Sequence, residues 1–333
     1  MKIQRILAVA ITALMMMTAC TDSQRGRAPR KTPESSVVSA QSVISGLSPS
    51  SSAASEDISE EDDSSDSSEL PAVFDSPICS SSILYCADDH QVLYQDSTDM
   101  KTPPASITKL LTASVVLKNM SPDDIVEVGS EQNLVHEDSS RCYISIGNRL
   151  TVRDLLTGML LCSGNDAAYT AAVTTARAVH PDRNLSDQEA VETFVAMMNE
   201  TAAEIGMANS HFSTPDGWDD DDQYVTASDL VALAEYTLAV PEIRTIVGTA
   251  QKDVVFASGE SASWTNTNYL LDPESLYYCK EAIGMKTGTT DYAGYCLLSA
   301  FKKNGKTYII AVLGCQRNDD RYGLTLKIFG LAK

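Results

Sequence analysis

Three short segments of the chain carry residues that can together perform acyl transfer at a serine. They are Ser106–Lys109, Ser163–Asn165 and Lys286–Gly288. In the first, the lysine follows the serine by three residues, so on a helix both side chains share one face and a neutral lysine can take the serine proton. The second offers a serine that can relay protons, and the third a lysine that can bind a carboxylate. These groups suit serine acyl transfer without a catalytic histidine.

The first segment has the context of a helix start. Pro103–Ala105 ends the preceding element, and the apolar run that follows predicts a helix beginning at Ser106, where free N–H groups and positive potential are available. Lys109 must be neutral to act as a base, and lowering its pKa from about 10.4 to near 7 costs roughly 4 to 5 kcal/mol. Burial and a second cation, Lys286, would both lower this pKa. The alternative interpretation is a solvated helix lysine.

Ser299–Lys302 repeats the same spacing and serves as an internal control. It lies at the end of an apolar strand pattern, where residues three apart point to opposite faces. The spacing alone is therefore weak evidence, and placement on a helix is what distinguishes Ser106 from Ser299.

The second segment allows two interpretations. Ser163 can bridge protons between the lysines and a leaving amine, while Asn165 can hold a substrate amide. Ser163 can equally be the N-cap of a helix that starts at Asn165, and taken alone the cap is favoured.

The third segment, within Ile283–Thr290, predicts an edge strand. Lys286 and Thr287 can hold a carboxylate there, and Gly288 belongs to a run of small residues that lets a substrate backbone approach closely. The backbone N–H of Thr289 can pair with that of Ser106 as an oxyanion hole. A polar turn is the alternative.

The elements that would position these segments are β-rich at both ends and helical between them. Strands are predicted at Ser82–Cys86 and Gln91–Gln95, and at Tyr295–Phe301 and Thr307–Leu313, the second pair being joined by an Asn-Gly turn. Helical spacing covers a segment beginning at Thr151, Asn165–His180, Asp187–Gly206, Thr226–Val240 and about Asp319–Leu331. The predicted fold class is α/β, an antiparallel sheet flanked by helices with a mostly helical lobe.

The first 76 residues have the pattern of targeting and spacer sequence. A basic start and the apolar run Ile6–Met17 predict a signal peptide over residues 1–19, and the cysteine that follows resembles the lipobox of bacterial lipoproteins. We expect Cys20 to be lipidated; an ordinary signal cleaved near Ala19 is the alternative. Residues 20–76 are rich in serine and acidic residues and predict a disordered tether, which leaves residues 77–333 as the expected folded domain.

Composition excludes some functions and leaves others open. A formal net charge of −20 over 333 residues argues against a nucleic-acid partner. There is no C-x-x-C pair and no H-E-x-x-H motif, so we expect neither a metal nor another cofactor. Seven of the eight cysteines remain once Cys20 carries lipid, which implies at least one free thiol or an intermolecular bridge. Cys162, Cys296 and Cys315 lie in apolar runs and are predicted to be small buried hydrophobes; the pairing of the cysteines stays open.

In combination, the three segments resemble those of serine-type D-alanyl-D-alanine carboxypeptidases, the low-molecular-weight penicillin-binding proteins of peptidase family S11. The resemblance runs from about Ser82 to the C-terminus, and the segments that carry it are Pro103–Lys109, Ser163–Ala168, Phe212–Gly217, Thr226–Leu230, Gly284–Thr290, and Leu313-Gly314 with Arg321-Tyr322. It implies a β-lactamase/transpeptidase-like fold, an acyl-enzyme on Ser106, Lys109 as general base, and assistance from Ser163 and Asn165. It also implies that Arg321 helps to bind a terminal carboxylate.

The sequence departs from this family in two places. No β-rich C-terminal domain or amphipathic anchor follows the last predicted helix, and we expect the lipid at Cys20 to replace that anchor. Cys162 stands where relatives often have proline, directly before Ser163.

The function implied is removal of the terminal D-alanine from peptidoglycan stem pentapeptides, with β-lactam antibiotics as acylating inhibitors. The implied location is the outer face of the bacterial cytoplasmic membrane. A β-lactamase is the nearest alternative, but the central motif is Ser-Gly-Asn rather than Ser-Asp-Asn and no Glu-x-x-Leu-Asn segment is present, so a stable penicilloyl adduct is expected. The other alternative is a non-catalytic penicillin-binding or cell-wall sensor protein, and a transpeptidase would differ only in its acceptor.

Overall fold

The structure is a computed structural model and describes residues 78–333. The predicted signal peptide, the lipidation of Cys20 and the tether lie outside these residues. The strands are β1 (Ser81–Cys86), β2 (Gln91–Asp96), β3 (Ile125–Glu127), β4 (Arg149–Thr151), β5 (Gln251–Val255), β6 (Ser261–Thr265), β7 (Ala282–Thr290), β8 (Gly294–Lys303) and β9 (Lys306–Cys315). The α-helices are α1 (Lys109–Asn119), α2 (Val152–Leu161), α3 (Asn165–Val179), α4 (Asp187–Glu204), α5 (Ala227–Ala239), α6 (Pro241–Val247) and α7 (Asn318–Phe329).

The main sheet has five strands in the order β2-β1-β9-β8-β7, and every neighbouring pair is antiparallel. Both predicted hairpins are present, and the second turns at Asn304 and Gly305 with φ of 52° and 84°, as the Asn-Gly pair requires. Pairing of β1 with β9 joins the two hairpins, although they come from opposite ends of the folded region. The predicted antiparallel sheet is confirmed, and β7 is its edge.

Each strand directs alternate side chains to opposite faces of the sheet. Both faces are buried because a separate core packs against each of them. Along β9, Ile309 and Ala311 belong to the core that includes α1 to α5, whereas Tyr308 and Ile310 belong to a second core that includes α7. The fold is therefore a sheet between a single C-terminal helix and a mostly helical lobe, as predicted.

The predicted helices are present with closely similar boundaries except at the nucleophile segment, and α6 was not predicted. The Thr151 side chain caps α2 by accepting a hydrogen bond from the Asp154 N–H, which confirms the expected start. The helix expected to begin at Ser106 instead opens with a 3₁₀ turn, Ala105–Thr108, and becomes α-helical at Lys109. Such turns are frequent at helix N-termini.

One disulfide, Cys79–Cys315, links the segment before β1 to the end of β9. Cys315 is buried, as predicted, and it is also paired, because the β1–β9 register, with Ser81 opposite Leu313, brings the two cysteines together. Cys296 is buried and free, and Cys162 is free but only half-buried.

No helix within residues 78–333 combines the length and the apolar character needed to cross a bilayer.

Candidate active site

Ser106 and Lys109 are in contact at the start of α1. The Lys109 Nζ donates hydrogen bonds to Ser106 Oγ at 2.7 Å and to the backbone oxygen of Asp216 at 2.6 Å. The lysine is completely buried, with 0% of its surface exposed, so the solvated-lysine interpretation is wrong. The pair has the geometry of a nucleophile with an adjacent base.

The turn that carries Ser106 is held by close backbone approaches on two sides. Ala105 has a left-handed φ of 47°. A Cβ on Gly217 would lie 1.9 Å from the Ala105 carbonyl oxygen, and one on Gly288 would lie 2.9 Å from the Ala105 Cβ. Only glycine at both positions lets the loop that contains Gly217 and the strand β7 approach the serine turn so closely.

Burial lowers the pKa of Lys109 from 10.5 to about 8, although the carboxylates of Asp216 and Asp166 act to raise it. Lys286 is also buried, and its pKa is lowered well below its usual value by burial and then by repulsion from Lys109 and Arg321. The sequence analysis named Lys286 as the cation that lowers the pKa of Lys109. In the structure burial is the main cause at both lysines, and repulsion between the two cations adds to it. A Lys109 pKa near 8 suits a general base at neutral to mildly alkaline pH.

The internal control behaves as expected. Ser299 is buried within β8, whereas Lys302 is exposed and donates to Thr307 Oγ1 at 3.2 Å. The Ser-x-x-Lys spacing therefore makes a serine–lysine contact at residue 106 and none at residue 299.

Ser163 lies in the loop between α2 and α3 with a left-handed φ of 62°. The N-cap of α3 is Gly164, which provides no side-chain hydrogen bond, so the N-cap interpretation of Ser163 is wrong. None of the hydrogen bonds among residues 78–333 joins Ser163 to Lys109 or Lys286. A proton relay through Ser163 therefore has to form with substrate in place, as catalytic hydrogen bonds often do.

Asn165 and the nucleophile Ser106 line the same small pocket of about 80 Å³. Its backbone N–H donates to the Ser140 carbonyl at 2.8 Å, which fixes the residue. Its side-chain Oδ1 is buried and has no partner in the described part of the chain. An unpaired buried acceptor is uncommon in folded proteins, and a substrate N–H entering the pocket can satisfy it.

The edge strand β7 borders the same site, which rules out the polar-turn interpretation of this segment. Lys286 Nζ donates to the Thr287 carbonyl at 3.0 Å, and Thr287 Oγ1 lies 2.6 Å from Thr267 Oγ1. Thr289 lines the pocket with Ser106. Ser106 and the predicted site residues of β7 are therefore adjacent.

Arg321 reaches β7 from α7. Its Nη1 donates to the Gly288 carbonyl at 3.0 Å, to Thr289 Oγ1 at 3.1 Å and to the Cys296 carbonyl at 3.2 Å. Its Nε is buried and finds no partner among residues 78–333. Arg321 thus fixes the end of β7 and adds a third cation to the region of Lys109 and Lys286.

Two residues of the site were missed by the sequence analysis. Asp216 accepts the Lys109 hydrogen bond through its backbone oxygen, and its own Oδ2 is buried without a partner in the described chain. Thr267 joins Thr287 to the end of α2, because its backbone N–H donates to the Leu161 carbonyl at 3.0 Å. Asp216 lies in a segment that supported the family resemblance, but no spacing rule signals a backbone acceptor, and nothing in the sequence marks Thr267.

Comparison with known proteins agrees with this arrangement. The peptidase S11 family, D-alanyl-D-alanine carboxypeptidase, matches residues 75–317. A D-alanyl-D-alanine carboxypeptidase of Streptomyces sp. strain K15 is 33% identical over 233 residues, 66% of this chain and 75% of that protein. The crystal structure of the Streptomyces K15 DD-transpeptidase has a TM-score of 0.69 and 30% identity and covers 77% of this chain and 97% of its own. DacA of Escherichia coli K12 is 31% identical over 242 residues, 70% of this chain.

The fold is therefore that of the DD-peptidases and DD-transpeptidases. The chain belongs to the S11 family of D-alanyl-D-alanine carboxypeptidases. It spans 61% of the length of Bacillus subtilis DacF and 55% of that of Escherichia coli DacA.

Proposed function

We propose that the protein is a serine-type D-Ala-D-Ala carboxypeptidase that removes the terminal D-alanine from peptidoglycan stem pentapeptides through an acyl-enzyme on Ser106. The observation that carries the proposal is the buried Lys109 ammonium nitrogen, 2.7 Å from Ser106 Oγ. Membership of the S11 family supports the choice of substrate.

In the first half-reaction, neutral Lys109 takes the proton of Ser106 Oγ as the oxygen attacks the carbonyl carbon of the D-Ala-D-Ala bond. The N–H groups of Ser106 and Thr289 stabilise the resulting oxyanion, and one such donor is typically worth about 2.7 to 4 kcal/mol. The C–N bond then breaks, and the proton passes from Lys109 through Ser163 to the leaving amine. D-Alanine departs, and an ester remains on Ser106.

In the second half-reaction, water attacks the ester carbonyl while Lys109 again accepts a proton. The proton returns to Ser106 Oγ as the ester breaks, which releases the shortened peptide and restores the free enzyme. When a β-lactam acylates Ser106, the amine released by ring opening stays attached to the acyl group and cannot diffuse away. We therefore expect β-lactams to act as acylating inhibitors.

Substrate orientation follows from the charges around β7. The terminal carboxylate binds Lys286 and Thr287, with Arg321 beside them, while Asn165 Oδ1 accepts an N–H of the peptide. Lys109 and Arg321 repel a charged Lys286 in the free protein. A bound carboxylate offsets this repulsion and raises the pKa of Lys286 again, so substrate binding and protonation of Lys286 are coupled.

The proposal includes the location of the enzyme. The apolar run Ile6–Met17 and the cysteine at position 20 support export and lipid attachment at the outer face of the cytoplasmic membrane. An acidic tether from residue 20 to residue 76 would hold the catalytic domain away from the lipid surface.

The test uses diacetyl-Lys-D-Ala-D-Ala and a labelled penicillin with wild type, Ser106→Ala and Ser299→Ala. Ser299 supplies a matched control because it has the same Ser-x-x-Lys spacing without the lysine contact. We expect wild type and Ser299→Ala to release D-alanine and to retain the label, and Ser106→Ala to do neither. Absence of D-alanine release by wild type would contradict the carboxypeptidase proposal. Penicillin hydrolysis at enzymatic rates would favour a β-lactamase.

A further inference from the structure

Two free thiols lie behind the loop that carries Ser163 and Asn165, and the proposed mechanism uses neither of them. Cys142 is buried in the segment before β4. Cys162 is half-buried at the C-terminal end of α2, directly before Ser163.

The two thiols are neighbours. Cys142 Sγ donates to Asp166 Oδ1 at 3.3 Å, and it lies 2.8 Å from where a Cβ on Gly164, two residues after Cys162, would be. Both sulfurs also approach the same glycine: Cys162 Sγ lies 3.1 Å from the Gly158 carbonyl oxygen, and a Cβ on Gly158 would lie 2.9 Å from Cys142 Sγ. The last turn of α2 therefore holds the pair together.

The surroundings make the two thiols unequal. The neighbouring Cys142 thiol and then Lys286 lower the pKa of Cys162, although burial and the Asp166 carboxylate act to raise it. The pKa of Cys142 is raised well above its usual value by the neighbouring Cys162 thiol, by burial and by the carboxylate of Asp166. The more accessible thiol is thus also the one that ionises more readily, as an attacking thiol should be.

We propose that Cys142 and Cys162 form a thiol–disulfide modification site that reacts with small-molecule disulfides and slows acylation of Ser106. The Cys162 thiolate attacks one sulfur of the disulfide RSSR, which breaks the S–S bond and releases RS⁻. Cys142 then loses its proton and attacks the Cys162 sulfur of the mixed disulfide, which releases the second RS⁻. Two protein thiols are oxidised to one disulfide, RSSR is reduced to two RSH, and the two protons pass to the leaving thiolates.

The backbone around the pair determines which residue moves. The Cys142 N–H donates to Asp166 Oδ1 at 2.9 Å, and the Cys142 carbonyl accepts from Trp264 Nε1 at 3.0 Å, so this residue is fixed on both sides. Bringing the two sulfurs to a disulfide length of about 2.0 Å therefore has to shift Cys162.

The shift of Cys162 is passed directly to Ser163, its neighbour in the chain. Ser163 already has a left-handed φ of 62°, so the loop has little freedom to absorb the movement. A displacement of 1 Å at a reacting group costs roughly 10²-fold in rate. The effect on acylation rests on the proposed function, whereas formation of the disulfide does not.

The test compares full-length protein treated with dithiothreitol or with glutathione disulfide. Peptide mapping by mass spectrometry identifies the linkage, and a labelled penicillin gives the acylation rate. We expect a Cys142–Cys162 cross-link and roughly 10²-fold slower acylation, both reversed by dithiothreitol. Cys162→Ala should lose the cross-link and keep its acylation rate in the oxidant. Cys279→Ala removes another half-buried free thiol and serves as the matched control, which should respond like wild type.

The Ser106→Ala variant tests disulfide formation separately from the proposed function. It lacks the nucleophile but retains both thiols, so it should still form the cross-link. Glutathione held at Cys162 without a cross-link, or no modification at all, would overturn the site. A cross-link that leaves the acylation rate unchanged would overturn its effect on the reaction. Wild type that fails to be acylated even when reduced would instead contradict the proposed function.

Discussion

The reactivity of Ser106 should follow the deprotonation of Lys109. Burial lowers the pKa of this lysine to about 8, so its neutral fraction is about 9% at pH 7 and about 91% at pH 9. Because only the neutral amine can accept the serine proton, the rate should rise with pH, about tenfold between these two values. The midpoint should lie near pH 8, well below the value of a solvent-exposed lysine.

The assay needs a reagent without a carboxylate, because carboxylate binding is coupled to the protonation of Lys286. A neutral fluorophosphonate diester that modifies the serine hydroxyl meets this condition. Its second-order rate constant, measured from pH 6 to 10 at fixed ionic strength, reports groups of the free enzyme. Ser106→Ala provides the background rate.

Asp216→Asn tests the cause of the midpoint. The Asp216 carboxylate raises the pKa of Lys109, so its removal should move the midpoint to lower pH and increase the rate at pH 7. Asp219→Asn changes a carboxylate in the same loop and should leave the midpoint unchanged. A rate independent of pH, or identical midpoints for wild type and Asp216→Asn, would refute the assignment of Lys109 as the base.

Three further outcomes are expected. Asn165→Ala removes an unpaired buried acceptor, so kcat/KM for D-alanine release should fall by up to about tenfold, one hydrogen bond being worth about 0.5 to 1.5 kcal/mol; an equally large loss with a substrate that lacks the accepted N–H would argue against this contact. Arg321→Lys should lower kcat/KM for a peptide with a free terminal carboxylate more than for its C-terminal amide, and equal losses would mean that Arg321 only fixes β7. Cys79→Ala removes the disulfide to Cys315 and should lower the free energy of unfolding in urea by about 2 to 5 kcal/mol, with wild type in dithiothreitol as the comparison; an unchanged midpoint would contradict a stabilising role.

Elements with a local signal were predictable from the sequence. Alternation and an Asn-Gly pair are properties of adjacent residues, so the hairpins and their turn at Asn304 were expected. The contact between Ser106 and Lys109 also follows from a three-residue spacing on a helical turn. The backbone oxygen of Asp216 lies 107 residues from Lys109 along the chain, and no local pattern identifies it.

The role of Ser163 shows a second kind of limit. A serine three residues before Asp166 fits an N-cap pattern, yet Ser163 has a left-handed φ and Gly164 is the N-cap instead. Backbone dihedrals of a short loop depend on what packs behind it, and here that is Cys142, whose Sγ lies 2.8 Å from where a Cβ on Gly164 would be. Such a contact between distant segments has no signature in the loop itself.

Ser106 and Ser299 share one sequence pattern, so the difference between them isolates what the fold contributes. Ser299 is fully buried in a strand, and Lys302, three residues later, is exposed to solvent. At Ser106 the relation is reversed: the serine borders a pocket, and the lysine is the buried member of the pair. Burial lowers the pKa of that lysine, and a lysine that stays largely protonated could not accept the serine proton. The reactivity proposed for Ser106 therefore depends on how the serine turn packs against β7 and how α1 packs against the loop that contains Gly217, rather than on the four-residue motif.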